Sequence, residues 1–327
     1  MNRIQTRALV EGAIFAAITV VIGIIRFYVP IVALISIIWS VPTILIAFRH
    51  GFKVSINSVV VSSVLVAVLT QPIQGLEFFI QFGLPGIIMG YLLNKKLSPG
   101  MTIFFTSIVL AVCSVLSIYL GMLVVGVNIA TSYDKMFIDI KNAYSEAANS
   151  MANTYSMMGI SREEILKGTA SFEKSIELMK LILPGGILVS GFMISFINFK
   201  LTRLVLKRIN YFIEDVKPYS LWRLSNKWMF FVMSILFYVI VEIYLIKLPQ
   251  LYALTMNIFT VTMILFVVLG LSVVKFYLDK YTVPKAFKGI LMFLLLVTFG
   301  NITMLIGVLD MPFDFRKLRN KPAEGIL

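Results

Sequence analysis

Residues 102–127 read TIFFTSIVLAVCSVLSIYLGMLVVGV, with no Asp, Glu, Lys or Arg. A helix rises about 1.5 Å per residue, and the hydrocarbon core of a bilayer is roughly 30 Å thick. This run is therefore long enough to cross. Comparable runs lie on both sides of it. Together they predict about nine spans, at 8–28, 31–48, 54–71, 75–93, 102–127, 182–204, 228–247, 252–275 and 287–309. The expected fold class is all-α, a polytopic transmembrane helical bundle.

Composition agrees. Hydrophobic residues make up 59% of the 327-residue chain and charged residues 14%, against roughly one half and one quarter in soluble domains. A water-soluble fold has no way to hide that much apolar surface. The net charge of +13 does not imply nucleic acid, because Lys and Arg in such chains collect in cytoplasmic loops. The lone Cys113 and the lone His50 exclude an intrachain disulfide and a Cys/His metal site. The basic start, Met1 to Arg7, precedes an apolar run too long for a signal-peptide core, so it reads as a retained first span. Walker, HExxH and GxSxG patterns are absent from the sequence. The expectation is a protein that is not an enzyme and needs no cofactor or metal.

The loops orient the spans. With the N-terminus inside, the cytoplasmic set is Arg3, Arg7, Arg49, Lys53, Lys95 and Lys96, then Lys200 to Lys227, then Lys275 to Lys288. The opposite loops at 72–74 and 248–251 are nearly free of basic residues, as the positive-inside rule requires. The expected location is a bacterial cytoplasmic membrane. The tail conflicts with this scheme: nine crossings put Arg316, Lys317, Arg319 and Lys321 outside.

The expected organisation is a five-span part at 1–127, an extracytoplasmic helical insertion at 128–181 and a sixth span at 182–204. A basic interfacial segment at 205–227, three further spans within 228–309 and a polar tail at 310–327 follow. The insertion reads as two helices, Tyr133 to Met158 and a second from Ser161, which begins a capping-box spacing and ends at Pro184. It reads either as an amphipathic hairpin on the membrane or as a lid. In the basic segment, Tyr211, Phe212, Trp222 and Trp228 among the charges suit the headgroup region.

Charged groups within spans are costly and mark candidate sites. Gln74, Glu77 and Gln81 fall at i, i+3 and i+7 and share a helix face. With Glu242 in the seventh span they are the candidate substrate-binding residues. Glu11 follows Arg7 by four residues, so the two can pair. Asn198, Asn257, Asn301 and Asp310 read as interhelical hydrogen-bonding groups. Ala8, Gly12 and Ala16, with Ala13 and Ala17 one position over, and Gly86 and Gly90 form small-residue faces for close helix packing or for a partner.

Four stretches together resemble a known family. They are Ala8 to Ala17 (ALVEGAIFAA), Ile37 to Thr43 (IIWSVPT), Phe48 to Lys53 (FRHGFK) and Gly83 to Lys96 (GLPGIIMGYLLNKK). These resemble the substrate-binding S components of energy-coupling factor (ECF) transporters. The whole chain, including Asp310 to Lys317 (DMPFDFRK), looks like the YybS-like family of bacterial predicted membrane proteins. The resemblance implies a six-helix S-component-like bundle over about residues 1–205 with added C-terminal helices. It also implies a ligand pocket at the outer ends of the spans, and a transmembrane coupling subunit docked on the small-residue face of the first helix. The expected function is that of a transporter-like integral membrane protein binding a small-molecule ligand. The alternative is a non-transporting scaffold or regulatory partner. Expected partners are the lipid bilayer, a coupling subunit or other membrane protein, and a small solute; nucleic acid is not expected.

Overall fold

The computed structural model describes residues 3–29, 36–124, 126, 128–157, 162–281 and 283–319, which are almost wholly helical with no strand among them. The solvent explains this. In hydrocarbon each segment must satisfy its own backbone N–H and C=O groups, and a helix does so. The helices are α1 (Arg3–Tyr28), α2 (Val41–Leu69), α3 (Pro72–Glu77), α4 (Leu84–Asn94), α5 (Pro99–Val124), α6 (Ile129–Met157), α7 (Arg162–Arg208), α8 (Asn226–Val241), α9 (Pro249–Lys280), α10 (Lys285–Thr298) and α11 (Gly300–Phe313). A π-helical turn, Phe78–Gly83, joins α3 to α4. Among the described residues, seven helical segments are long and apolar enough to cross a membrane, or eight if the bent α10–α11 pair is one span.

The count of nine differs partly because α2 holds two of the expected runs. Its residue Gly51 has φ 77° and ψ −174°, outside helical geometry. Gly86 lies against Ser40 and Thr43, and Gly90 against Ile44 and Ala47, so the first half of α2 runs parallel to α4. Gly75 lies against Ser63 and Ala67, and Gly83 against Val59, so the second half runs antiparallel to α3–α4. The chain therefore reverses at Gly51, where a positive φ suits a residue without Cβ. The start of the 31–48 run lies outside the described residues, as do Ser161 and Lys321.

The second helix of the insertion does not stop at Pro184. Instead α7 continues through it for 47 residues, and two side chains repair the break. Proline has no N–H, which deprives the Lys180 carbonyl of its helical donor; the Tyr133 hydroxyl donates to it at 2.6 Å. The next rung, Gly185 N–H to Leu181 C=O, is bridged by one amide. Asn257 Oδ1 accepts from Gly185 N–H at 2.6 Å, and its Nδ2 donates to Leu181 C=O at 2.9 Å. The insertion is thus an antiparallel hairpin of α6 on the N-terminal half of α7, with Tyr144 stacked on Phe172 and Lys141 paired with Glu173.

The last expected span is also corrected. Helices α10 and α11 meet at a bend of 101°, and a bend beyond a right angle turns the chain back on itself. Both ends of the pair lie at the same end of α9. Lys288 Nζ is 2.6 Å from Asp279 Oδ1, and the Tyr277 hydroxyl donates to the Phe315 carbonyl at 2.8 Å. The pair is therefore re-entrant. Gly270 and Gly307 make its close contact with α9, each facing the other helix's backbone.

This geometry removes the charge conflict in the tail. Arg316 is 4% exposed. It donates to Asp310 at 2.8 Å, to the Ser220 and Trp222 carbonyls at 2.9 Å each, and to Ser272 Oγ at 2.8 Å. The tail is thereby fixed to the 205–227 segment. Tyr211 packs against Phe48 and Arg49, and Asn94 donates to the Phe48 carbonyl. Among the described residues, the basic segments at 3–7, 49–53, 95–96, 200–227, 275–288 and 316–319 gather at one end of the molecule, the basic end.

Candidate functional site

At the opposite end, Gln74 and Glu77 sit on α3, just before the π turn. A wider turn of this kind often marks a functional position in a helix. Their partner is Arg26, in the last turn of α1. Its Nη2 lies 2.7 Å from Glu77 Oε1 and its Nη1 3.2 Å from Oε2, a two-pronged pair. Nη1 also donates to Gln74 Oε1 at 3.3 Å. The guanidinium carbon lies 5.1 Å from the Trp39 ring centre and 5.4 Å from that of Phe82. Trp39 is buried, with its indole N–H on the Thr19 carbonyl at 2.8 Å. Packing around Trp39, Phe78 and Phe82 thus fixes one wall of the cluster. Both charged side chains stay about a quarter open, at 23% and 22% exposure. A cation at the C-terminal end of α1 also opposes the negative end of that helix's dipole.

Arg26 is the functional candidate that sequence reading misses. It is a charge inside the first predicted run, the same signal that picks out Glu77. Gln81 lies in the π turn, half-buried, and takes no part in the Arg26 hydrogen bonds. The wider turn rotates it away from the register that an ideal α-helix gives Gln74 and Glu77.

Glu242 does not join this cluster. It lies in the π-helical turn that ends α8, which packs on α8 and α9, whereas α3 packs on α2 and α5. Its Oε1 accepts from the Leu248 N–H at 3.2 Å, and its Oε2 is buried without a partner. It organises the α8–α9 turn and forms no ion pair with Lys247 among the described residues.

Ala8, Gly12, Ala16, Gly86 and Gly90 are spent on packing inside the chain. Ala8, Gly12 and Ala16 are buried; Gly12 faces Val54, and its carbonyl accepts from Ser58 at 3.0 Å. Gly86 and Gly90 seat the first half of α2. Ala13 and Ala17 remain exposed. Glu11 meets Arg7 at 3.0 Å as expected, and also Arg49 at 2.8 Å and His50 at 2.7 Å, which ties α1 to the Gly51 reversal.

Comparison with known proteins matches residues 17–311 to the family described as "Predicted membrane protein (DUF2232)". The chain belongs to the DUF2232 family. It is similar to a protein of Bacillus subtilis (strain 168) described as "Uncharacterized protein YybS", with 26% identity over 318 residues, covering 95% of this chain and 98% of the relative. No solved structure matches. This DUF2232 member is a multi-pass membrane protein, as both its family and its helices show.

Proposed function

We propose that this DUF2232 protein is a non-catalytic, transporter-like membrane protein. In this reading it binds a small solute at the end that carries Arg26, Gln74 and Glu77. The carrying observation is the two-pronged Arg26–Glu77 pair, a quarter open and walled by Trp39 and Phe82. Charge in a span is costly and marks function by default. A planar guanidinium suits carboxylate or phosphate groups, so an anionic solute would exchange with Glu77 for Arg26. The gathering of basic segments at the other end supports a cytoplasmic N-terminus and an outward-facing cluster. The S-component resemblance supports a pocket at the same end.

The test is a thermal-stability screen of the full-length protein against vitamins and other small metabolites. At one hundred times its Kd, a ligand adds about 2.7 kcal/mol. A hit that is lost in both Arg26→Gln and Glu77→Gln supports the reading. A silent panel, together with unchanged cells carrying Glu77→Gln, overturns it.

A second reading, a scaffold or regulatory partner, draws on the way Arg26, Gln74 and Glu77 satisfy one another. It predicts that charge reversal at Lys207, Arg208 and Lys217 releases a co-purifying partner while Glu77 changes have no effect.

A further inference from the structure

At the basic end, a cavity of about 20 Å³ lies between the segment before α8, the start of α8 and the end of α11. Its polar lining is Arg223, Asn226, Asp310, Asp314, Arg316 and Arg319. Most of these groups are already committed. Every N–H of Arg316 has an acceptor: Asp310, the Ser220 and Trp222 carbonyls and Ser272. Asp314 accepts from the backbone N–H groups of Leu318 and Arg319 at 3.0 and 2.8 Å. Arg319 reaches the Met311 carbonyl and Met229 Sδ.

Among the described residues, two buried atoms of this lining are left over: Nη1 of Arg223 is a donor without an acceptor, and Oδ1 of Asp310 an acceptor without a donor. Asp310 is only 9% exposed, so solvent does not readily reach it. The start of α8 adds a third demand. Ser225 makes no side-chain cap and the first turn holds no acid, so nothing in α8 itself offsets the positive end of this 16-residue helix at Asn226. A helix N-terminus beside an arginine favours an oxyanion. Asp310 Oδ1 adds a condition, because it needs something that donates.

We propose that this cavity is a site for a phosphate-class oxyanion that also carries a hydroxyl group. The anionic oxygens face Arg223 Nη1 and the first N–H groups of α8, and the hydroxyl donates to Asp310 Oδ1. A space on the order of one water admits the tip of such a group, while the rest sits at the mouth beside the exposed Arg319. Free hydrogen phosphate meets the condition through its P–OH. A phosphatidylglycerol headgroup meets it through its glycerol. Sulfate, fully ionised at neutral pH, does not. The inference is independent of the outer-end solute site.

The experiment measures the Tm of the full-length protein in detergent with potassium phosphate or potassium sulfate at equal ionic strength. A second pair of measurements uses nanodiscs of phosphatidylglycerol or phosphatidylcholine. Matched salts cancel general exclusion effects. The expected result is a rise of about 3 °C with phosphate over sulfate, or with phosphatidylglycerol over phosphatidylcholine. The pair that responds identifies the source. Arg223→Gln should abolish the rise. Asn226→Asp should abolish it too, while leaving the fold intact, since an acid suits a helix N-terminus. Equal Tm in both pairs overturns the proposal, as does a rise that survives in either variant.

Discussion

Gly270 and Gly307 show how much of the C-terminal part hangs on two missing side chains. A Cβ on Gly270 would fall on the Thr303 carbonyl oxygen, and one on Gly307 on the Phe266 carbonyl oxygen. Both obstacles are backbone and cannot swing aside. Gly270→Ala should therefore separate α9 from α11 and destabilise the protein by about 1–3 kcal/mol, read as a lower Tm than Gly289→Ala, where the space is open. Sequence patterns did not single out this pair. The two glycines lie 37 positions apart and carry no local spacing to flag them. Arg26 was legible in principle, as a lone charge in an apolar run. Asp314 adds a pH dependence at the same scale. Burial opposes its ionisation, but the backbone N–H groups of Arg319 and Leu318 and the charges of Arg223 and Arg319 outweigh it. Its carboxyl is held below the ordinary value of 3.8. A depressed folded pKa contributes stability that is fully present above the unfolded value and is lost as pH falls through the folded one. The Tm difference between wild type and Asp314→Asn should therefore shrink only when the pH drops below about 4. A difference already gone at pH 6 would contradict this.

Among the elements, α7 departs furthest from what its sequence predicts. Proline in a helix interior normally costs about 3 kcal/mol, so a boundary at Pro184 is a fair expectation from sequence. The repair comes from Tyr133, 51 positions before it, and Asn257, 73 positions after it, which no local pattern connects. Asn257→Ala leaves the Gly185 N–H and the Leu181 carbonyl without partners and should cost about 1–3 kcal/mol. Tyr133→Phe removes one bond and should cost about 1 kcal/mol. Hydrogen exchange at residues 181–186 checks both. Exchange there should be faster in Asn257→Ala, and unchanged protection would contradict this role for the amide. The first spans, by contrast, were largely legible, because apolar length and the FRHGFK turn are local signals. The reversal at Gly51 follows directly from that turn.

For the whole molecule, the distribution of basic residues proved the more reliable guide where it disagreed with the count of apolar runs. Arg316, Lys317 and Arg319 opposed a ninth crossing, and the re-entrant α10–α11 pair brings them back beside the 205–227 segment. Hydropathy sees only length and composition, so it cannot tell a full crossing from a V of two 14-residue helices. The described residues form a two-faced bundle, with the basic segments at 3–7, 49–53, 95–96, 200–227, 275–288 and 316–319 on one face and the Arg26–Glu77 cluster and the α6–α7 hairpin, whose Lys141 and Lys180 pair with its own acids, on the other. Single cysteines placed in a Cys113→Ala background test it most directly, by labelling sealed vesicles of known orientation with a membrane-impermeant thiol reagent. Lys207→Cys and Lys317→Cys should label together from the cytoplasmic side, and Ser145→Cys from the opposite side only. Labelling of Lys317→Cys from the same side as Ser145→Cys would contradict the account.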